Sequence, residues 1–543
     1  MLRRFLLIAL SAALYACGGG TSSAPDSPAT SVTPPIDEAS PPGDESLPEP
    51  LFPPLAPGVE PAKTSAVVAT DPAKPNLVLI MTDDQTVRDL AAMPWTLTFL
   101  RNQGMAFSNS FVSWPLCCPS RATLFSGLYA HNHNVLGNYP PDGAAQAFTT
   151  DNETLPVWLQ RAGYSTIHIG KYLNGYGADR RGSTYVPPGW NDWMGLVDPA
   201  TYRMWGYTVN QNGVLTTYGE ESVEDPMMYQ TDQLKRMALE ALDRAGAAGK
   251  PFFLSFAPLA PHEEIPETPP PGASFPGPRP APRHKGSLSW VPLPQPLSFD
   301  EADLSDKPSI VSAVANFWNR GEPMSNRVGR YQRRLEALRA VDETVWWIVV
   351  KLKVMGLLDN TWIVFTSDNG WFNGEHHVDL GKYLMYEPSI RVPLLIRGPG
   401  VTPGTISNEL VANIDLAATF LELAGATPGR VIDGRSLLPF VRNPALTTTR
   451  PILLDAPHEQ MLFGGANPPT IPAMRGLRTK RFAYIEYGSG DVELYDLVND
   501  PGEMSSVHAN ATYGGVRAGL HAALQQYQGC VGDPCRAELI ATP

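Results

Sequence analysis

The chain lacks the marks of several large protein classes. It has only five cysteines in 543 residues, and Cys530 and Cys535 have no further partners at the spacing a zinc centre needs. It has no excess of basic charge. Its 41 Lys and Arg stand against 54 Asp and Glu, a formal net charge of −13. That argues against a general nucleic-acid binder, which presents a basic stripe. It leaves room for a small anionic substrate, because a local pocket of Arg, Lys and metal can oppose the overall field. No internal run reaches the roughly 18–20 apolar residues of a spanning helix, and no internal repeat is visible. What the chain has is length and an ordinary hydrophobic fraction of 43%, enough for one large domain plus a smaller one.

The first residues, "MLRRFLLIALSAALYAC", place Arg3 and Arg4 before an apolar stretch from Phe5 to Leu14 and a small Ala16 before Cys17. This is the anatomy of a secretory signal over residues 1–17. A cysteine directly after the small residue is similar to a bacterial lipoprotein signal, with Cys17 as the lipidated mature N-terminus. The expectation is export to the bacterial cell envelope, in the periplasm or at the cell surface, with membrane contact only through that lipid. Residues 18–72 are rich in Pro, Ser and Gly and read as a tether. A globular region spans 73–425 and a smaller C-terminal subdomain 426–543.

Within the globular region, Leu77 to Met81 is a short apolar run, as in a strand buried on both faces. Similar runs in "YSTIHIG", "PFFLSFAP" and "TWIVFTSDNG" each follow a helix-like stretch, and "VPLLIRGPG" is another strand. Strands alternating with helices predict an α/β sandwich with a large, mainly parallel sheet flanked by helices. Active sites in such sheets sit at the C-terminal strand ends. A Pro-rich segment from Glu263 to Ser309 is expected at the pocket mouth. After Gly425, "AMRGLRTKRFAYIEYGSGDVELYDL" shows two strand-like runs around a Gly-Ser-Gly-Asp turn. That predicts a small antiparallel sheet, followed by a helix near 516–527.

Three clusters carry chemistry. Asp83 and Asp84 end the first predicted strand; adjacent carboxylates there repel unless a cation joins them, although Asp is also common in solvated turns. Asp368, Asn369 and Gly370 end another strand and offer two more oxygens, or a turn. Together the four oxygen-bearing side chains suit a hard divalent cation. The third cluster is "LCCPSRATLFSG". A cysteine near hard oxygen ligands is a mismatch, because thiolate prefers soft metals. Adjacent cysteines rarely bridge, and free thiols in an exported protein risk oxidation. Arg121 adds a fixed cation suited to a tetrahedral oxyanion.

The stretch "CCPSRATLFSG" resembles the type I sulfatase signature Cys-x-Pro-Ser-Arg-x-x-x-x-x-Gly. The setting "LCCPSRATLFSGLYAHNHNV" is most similar to N-acetylglucosamine-6-sulfatases and heparan endosulfatases. The resemblance implies an alkaline-phosphatase-like fold. It implies that Cys117 is oxidised to Cα-formylglycine by a maturation enzyme, with Cys118 at a variable position. It carries metal ligation, by Ca²⁺ or else Mg²⁺, onto Asp83, Asp84, Cys117, Asp368 and Asn369. It carries catalytic roles onto Cys117, Arg121, Lys171 of "IGKYLNGYG", His262 of "APLAPHEE" and Lys382 of "LGKYLMYEP". Metal, Arg121, Lys171 and Lys382 would stabilise the sulfuryl oxygens, and His262 or Lys382 would protonate the departing alcohol. Many sulfatases place a histidine where Leu173 stands here. Asn174 and His131 are expected at the substrate or the nucleophile, and Cys530 with Cys535 as a small-loop disulfide. The implied substrate is a sulfated carbohydrate bearing a 6-O-sulfated N-acetylglucosamine. A phosphate or phosphonate ester, or a non-glycan aryl sulfate, is the alternative.

Overall fold

The computed structural model describes residues 48–51, 74–265, 277–319, 321–461 and 468–539. The leader, Cys17 and nearly all of the tether lie outside the described residues. No helix among the described residues is long and apolar enough to cross a membrane.

Ten strands form one sheet: β1 (Asn76–Thr82), β2 (Met105–Phe111), β3 (Ser165–Gly170), β4 (Asp192–Leu196), β5 (Tyr207–Gln211), β6 (Val214–Tyr218), β7 (Phe252–Ala257), β8 (Thr361–Ser367), β9 (Leu394–Arg397) and β10 (Thr405–Ala412). Their order is β10-β2-β9-β8-β1-β7-β3-β4-β5-β6. The centre, β8-β1-β7-β3-β4, is parallel throughout. β9 runs antiparallel to both neighbours, and the β5–β6 hairpin closes the far edge. This is the alkaline-phosphatase-like α/β sandwich expected.

β1 shows why the central strands read as unbroken apolar runs. Its residues alternate between two cores, both sealed. Leu77, Leu79 and Met81 pack with Trp158, Phe420 and Leu124 on one face. Val78 and Ile80 pack with Leu234, Leu338 and Ile348 on the other. The helices Leu155–Arg161, Cys117–Ser126 and Asp415–Ala424 cover the first face, and Gln230–Ala248 and Met324–Val354 the second. Each buried Leu or Ile contributes about 1.5–3 kcal/mol against exposure.

The C-terminal sheet has four antiparallel strands in the order Ile452–Ala456, Met474–Arg478, Phe482–Tyr487, Val492–Asp496. Two strand-like runs were expected in "AMRGLRTKRFAYIEYGSGDVELYDL", and the structure has three. The first run breaks at Thr479, whose backbone N–H donates to the Phe482 carbonyl at 2.8 Å and closes a turn. The helix Gly514–Tyr527 covers this sheet through Leu520, Leu524 and Tyr527. Of the Pro-rich segment, residues 266–276 lie outside the described part. The remainder is held down by Leu288 and Val291, which are buried against Tyr331 and Leu335 of the long helix.

Candidate active site

The strand order assembles the site. β8, β1, β7 and β3 are consecutive neighbours about 4.8 Å apart. Their C-terminal ends lead into Asp368-Asn369, Asp83-Asp84, His262 and Lys171. Two glycines make the ends fit. A Cβ on Gly170, at φ +111°, would lie 2.0 Å from the Ala257 carbonyl oxygen; one on Gly370 would lie 2.1 Å from that of Pro388. Asp84 has φ +65°, a costly conformation for a non-glycine residue. Its N–H donates to Asp368 Oδ1 at 3.1 Å and its carbonyl accepts from Arg334 Nη2 at 2.5 Å.

Cys117 opens the helix Cys117–Ser126 after an extended Leu116. Its Sγ lies 3.5 Å from Asp83 Oδ1 and 2.8 Å from Lys382 Nζ. Burial first, and then Asp83, push the Cys117 thiol well up, so it stays protonated at neutral pH and is a poor nucleophile. Cys118 points elsewhere. It is buried in the apolar core with Ala122 and Phe125, its thiol is pushed up to about 12 chiefly by burial, and its N–H donates to Asn138 Oδ1 at 2.9 Å. The two adjacent cysteines therefore occupy unlike environments.

Around Cys117 the charges pair closely. Lys171 Nζ lies 2.5 Å from Asp83 Oδ2, and Lys382 Nζ pairs with Asp84 Oδ1. Burial alone would raise both carboxyls. Lys171, His262 and Arg121 outweigh it at Asp83, and Lys382 and His262 at Asp84, so both stand below the usual carboxylate range. Both ammonium groups stand above theirs: burial opposes the charge, but Asp83 dominates at Lys171 and Asp84 at Lys382. His262 is pushed down, mainly by burial. Its Nδ1 donates to the Glu263 carbonyl at 2.7 Å, which leaves Nε2 as an acceptor 3.6 Å from Asp84 Oδ2.

Arg121 is tied closely into the protein. It is fully buried and its donors are committed: Nε to Asp368 at 2.7 Å, Nη2 to Asp83 at 3.1 Å and Nη1 to the Lys171 carbonyl at 2.8 Å. These bonds tie three strand ends together and use most of its five N–H donors. His131 departs from expectation. Its Nδ1 meets Asp455 at 2.7 Å and its Nε2 meets the Cys530 carbonyl at 2.9 Å. It thus ties its short helix to the C-terminal part, with neither ring nitrogen left for substrate. His133 is buried with Thr123, 3.0 Å from its Nε2. Cys530 and Cys535 are joined in a disulfide.

Asn174 is buried and reaches the site indirectly. Its Nδ2 donates to the Tyr202 hydroxyl at 2.7 Å. The Tyr202 ring lies 4.9 Å from Lys171 Nζ and 5.1 Å from the His262 ring. Sequence reading missed Tyr202, which comes from the turn between β4 and β5 with no motif around it. It also missed Trp371, whose ring faces Arg334 at 4.8 Å and Lys382 at 5.9 Å.

The donor set fits a hard divalent ion. Ligand atoms of Asp83, Asp84, Cys117 and His262 lie within 4.8 Å of one another. Asn369 Oδ1 and Asp84 Oδ2 are buried oxygens without a hydrogen-bond partner, which is costly unless a cation or donor meets them. Asn369 Nδ2 donates to Asp84 Oδ1 at 2.6 Å, which fixes the orientation of the amide oxygen.

Comparison with known proteins agrees with this geometry. The Sulfatase family model matches residues 75–426, and the model for the C-terminal part of N-sulphoglucosamine sulphohydrolase matches 374–529. An arylsulfatase of Volvox carteri is 32% identical over 85% of this chain and 76% of its own. The N-acetylglucosamine-6-sulfatase of Homo sapiens is 31% identical over 88% of each chain. Among solved structures, one described in complex with its substrate D-glucosamine-2-N,6-O-disulfate superposes with a TM-score of 0.68 at 24% identity, over 85% of this chain and 98% of its own. The phosphonate monoester hydrolase of Agrobacterium radiobacter shares the fold at a TM-score of 0.60 and 23% identity, over 83% and 95%. The motif around Cys117, the oxygen-rich strand ends and the matched families converge: the chain belongs to the type I sulfatase family and is a sulfuric ester hydrolase.

Proposed function

We propose that this enzyme removes the 6-O-sulfate of an N-acetylglucosamine or related hexosamine unit in a sulfated glycan. It would use formylglycine made from Cys117 by a maturation enzyme, and one divalent ion, Ca²⁺ or Mg²⁺. The observation that carries the reading is the meeting of Cys117 with the carboxylates of Asp83 and Asp84, His262 and two lysines at adjacent strand ends. Asp83, Asp84, Asp368, Asn369 and residue 117 would hold the ion. The hydrated formyl group supplies a hard oxygen nucleophile, and the ion supplies positive charge against the sulfuryl oxygens.

The chain's own groups do the rest. Lys382, 2.8 Å from position 117, donates toward that position and the departing alcohol oxygen. Lys171, held by Asp83 and Tyr202, opposes charge on the sulfuryl group. His262, neutral with Nε2 open as an acceptor, takes up the proton released at position 117. Arg121 keeps Asp83 and Asp368 in place. The human relative, named an N-acetylglucosamine-6-sulfatase, supports the sugar assignment. Export with a lipid on Cys17 belongs to the same proposal and rests on the sequence Met1–Cys17.

The test has two arms. Mass spectrometry of the peptide spanning Cys117, from a host with the maturation enzyme, is expected to show the aldehyde; thiol alone would overturn the mechanism. Parallel turnover of N-acetylglucosamine-6-sulfate, an aryl sulfate and a phosphonate monoester is expected to favour the sugar sulfate, with activity lost on chelation and restored by Ca²⁺ or Mg²⁺. A preference for the phosphonate would refute the substrate class.

A further inference from the structure

Lys171 and His262 follow different strands, β3 and β7, and one ring meets both. The Tyr202 ring presents its face to Lys171 Nζ at 4.9 Å and lies 5.1 Å from the His262 ring, tilted at 47° to it. Tyr202 is partly buried, packed against a cluster that includes Met204, Trp205, Tyr229 and Leu259. Its hydroxyl accepts from Asn174 Nδ2 at 2.7 Å. Burial, and next the charge of Asp198, raise its phenol well above the ordinary value, so the ring stays uncharged. A carboxylate in that place would cancel the charge of the lysine. A neutral π face attracts an ammonium through its quadrupole and leaves the charge in being.

The turn that carries Tyr202 is clamped to the segments of both partners. Ile265 N–H donates to the Tyr202 carbonyl at 2.9 Å and Met204 N–H to Glu264 Oε1 at 3.0 Å, which ties the turn to the stretch just after His262. Gly175 N–H donates to Asp198 Oδ2 at 2.5 Å, which ties it to the stretch just after Lys171. The fully buried Gln230 donates through Nε2 to the carbonyls of Thr201 at 2.9 Å and Arg203 at 2.7 Å, on either side of Tyr202. Groups held by packed, hydrogen-bonded neighbours keep their geometry without reorganising at each turnover.

We propose that Tyr202 is a positioning residue: its ring sets Lys171 Nζ toward the sulfuryl group and His262 Nε2 toward position 117 together, and Asn174 fixes the tilt of that ring. Tyr202 acts through those two side chains and takes no proton itself. The assignment rests on the roles proposed above for Lys171 and His262.

The test is a pair of double-mutant cycles on the matured enzyme at equal formylglycine content. The first reads binding of inorganic sulfate by calorimetry, which needs no turnover. Tyr202→Leu is expected to weaken it about tenfold, the scale of a buried cation–ring contact, and to have little further effect once Lys171 is replaced by Met. The second reads kcat on the sulfate ester that the wild type cleaves best. Tyr202→Leu is expected to lower it about tenfold, and that loss is expected to shrink once His262 is replaced by Gln. A purely structural role predicts the same loss in every background, so an undiminished loss in either one overturns the assignment. Tyr202→Phe, which keeps the ring, recovers most of both losses; no recovery also overturns it. If Tyr202→Leu does not fold, Asn174→Ala decides: it is expected to weaken sulfate binding about threefold in the wild type but not in Tyr202→Phe, which already lacks the hydroxyl. Equal weakening in both, or none in the wild type, would overturn the assignment. If Lys171→Met itself leaves sulfate binding and turnover intact, the role given to Lys171 fails and this assignment with it; a loss there without coupling to Tyr202 removes this assignment alone.

Discussion

Replacing Arg121 by alanine tests whether this residue is a structural cation rather than a contact for substrate. Its guanidinium bonds Asp368 at 2.7 Å and Asp83 at 3.1 Å, with all three side chains sealed from solvent. Removing one partner of a buried ion pair strands the other charge and costs about 3–5 kcal/mol. Two carboxylates are stranded here, but Lys171 still meets Asp83, so about 4 kcal/mol is the expected loss. With an unfolding entropy of about 2 cal/mol/K per residue, that loss lowers the apparent midpoint of a unit of several hundred residues by only about 4–5 °C. Denaturant unfolding is therefore the better assay, because 4 kcal/mol is a large share of total stability. Arg121→Lys keeps one charge but reaches one carboxylate only, so it recovers about half. Turnover falls in both variants because Asp83 and Asp368 lose their placement, and it falls in kcat more than in KM. The reasoning is refuted if Arg121→Ala unfolds at the wild-type denaturant midpoint, or if its sole effect is a raised KM.

Gly170→Ala is expected to cost upward of about 1–2 kcal/mol from its positive φ alone, more from the Ala257 carbonyl 2.0 Å from the new Cβ, and to displace Lys171; thermal unfolding and kcat read both. Asp415 and Arg450 form a buried two-bond pair at 2.9 and 2.5 Å, and Asp415 stays below the usual carboxylate range because Arg450 outweighs the opposing effect of burial. Its contribution is thus fully present above the unfolded carboxyl's value near 4, and it is lost as pH falls through the lower folded value. Asp415→Asn should cost about 3–5 kcal/mol at pH 7, and the gap to wild type in urea unfolding should close only below about pH 4. Replacing Cys530 and Cys535 together by serine opens a small loop, worth about 2 kcal/mol by chain entropy. It loosens the carbonyl that His131 holds, yet turnover should persist, since neither cysteine touches the Cys117 cluster.

How much of this was legible in the sequence follows from burial. β1 and β8 are sealed on both faces, and their central residues, Leu77 to Met81 and Trp362 to Phe365, are apolar and stood out as runs. β2, Met105–Phe111, is equally buried but invisible as a run, because its polar residues are satisfied internally. Ser108 Oγ donates to Asn408 Oδ1 at 2.6 Å and Asn109 Nδ2 to the Asn408 carbonyl at 2.8 Å. β6 faces solvent at the edge with Val214 and Leu215 both exposed, so no alternation marked it. The strand-end carboxylates were readable because like charges in adjacent positions need a cation. The roles of Arg121 and His131 were not: their partners Asp368 and Asp455 lie 247 and 324 residues away, and only the fold says which faces meet.

The charge balance of the site bears on the proposed exchange of sulfur for oxygen at position 117. Asp83, Asp84 and Asp368 set three negative charges against Arg121, Lys171 and Lys382, while burial holds His262 toward its neutral form. Burying unpaired charges costs several kcal/mol each, so this three-against-three balance is a condition for folding these strand ends together. A thiolate at position 117 would break it, and burial together with Asp83 accordingly raises the Cys117 thiol. Cysteine chemistry through the anion is therefore suppressed by the same carboxylates that suit a hard cation. A neutral oxygen nucleophile, as proposed, would leave the balance intact. A dication held there would make the cluster net positive by two, opposing the charge of a sulfate ester and matching that of the sulfate dianion released. The same match predicts that inorganic sulfate is a competitive product inhibitor, and that its inhibition weakens when either Lys171 or Lys382 is replaced by Met; inhibition unchanged in both variants would show that the lysines do not face the sulfuryl group.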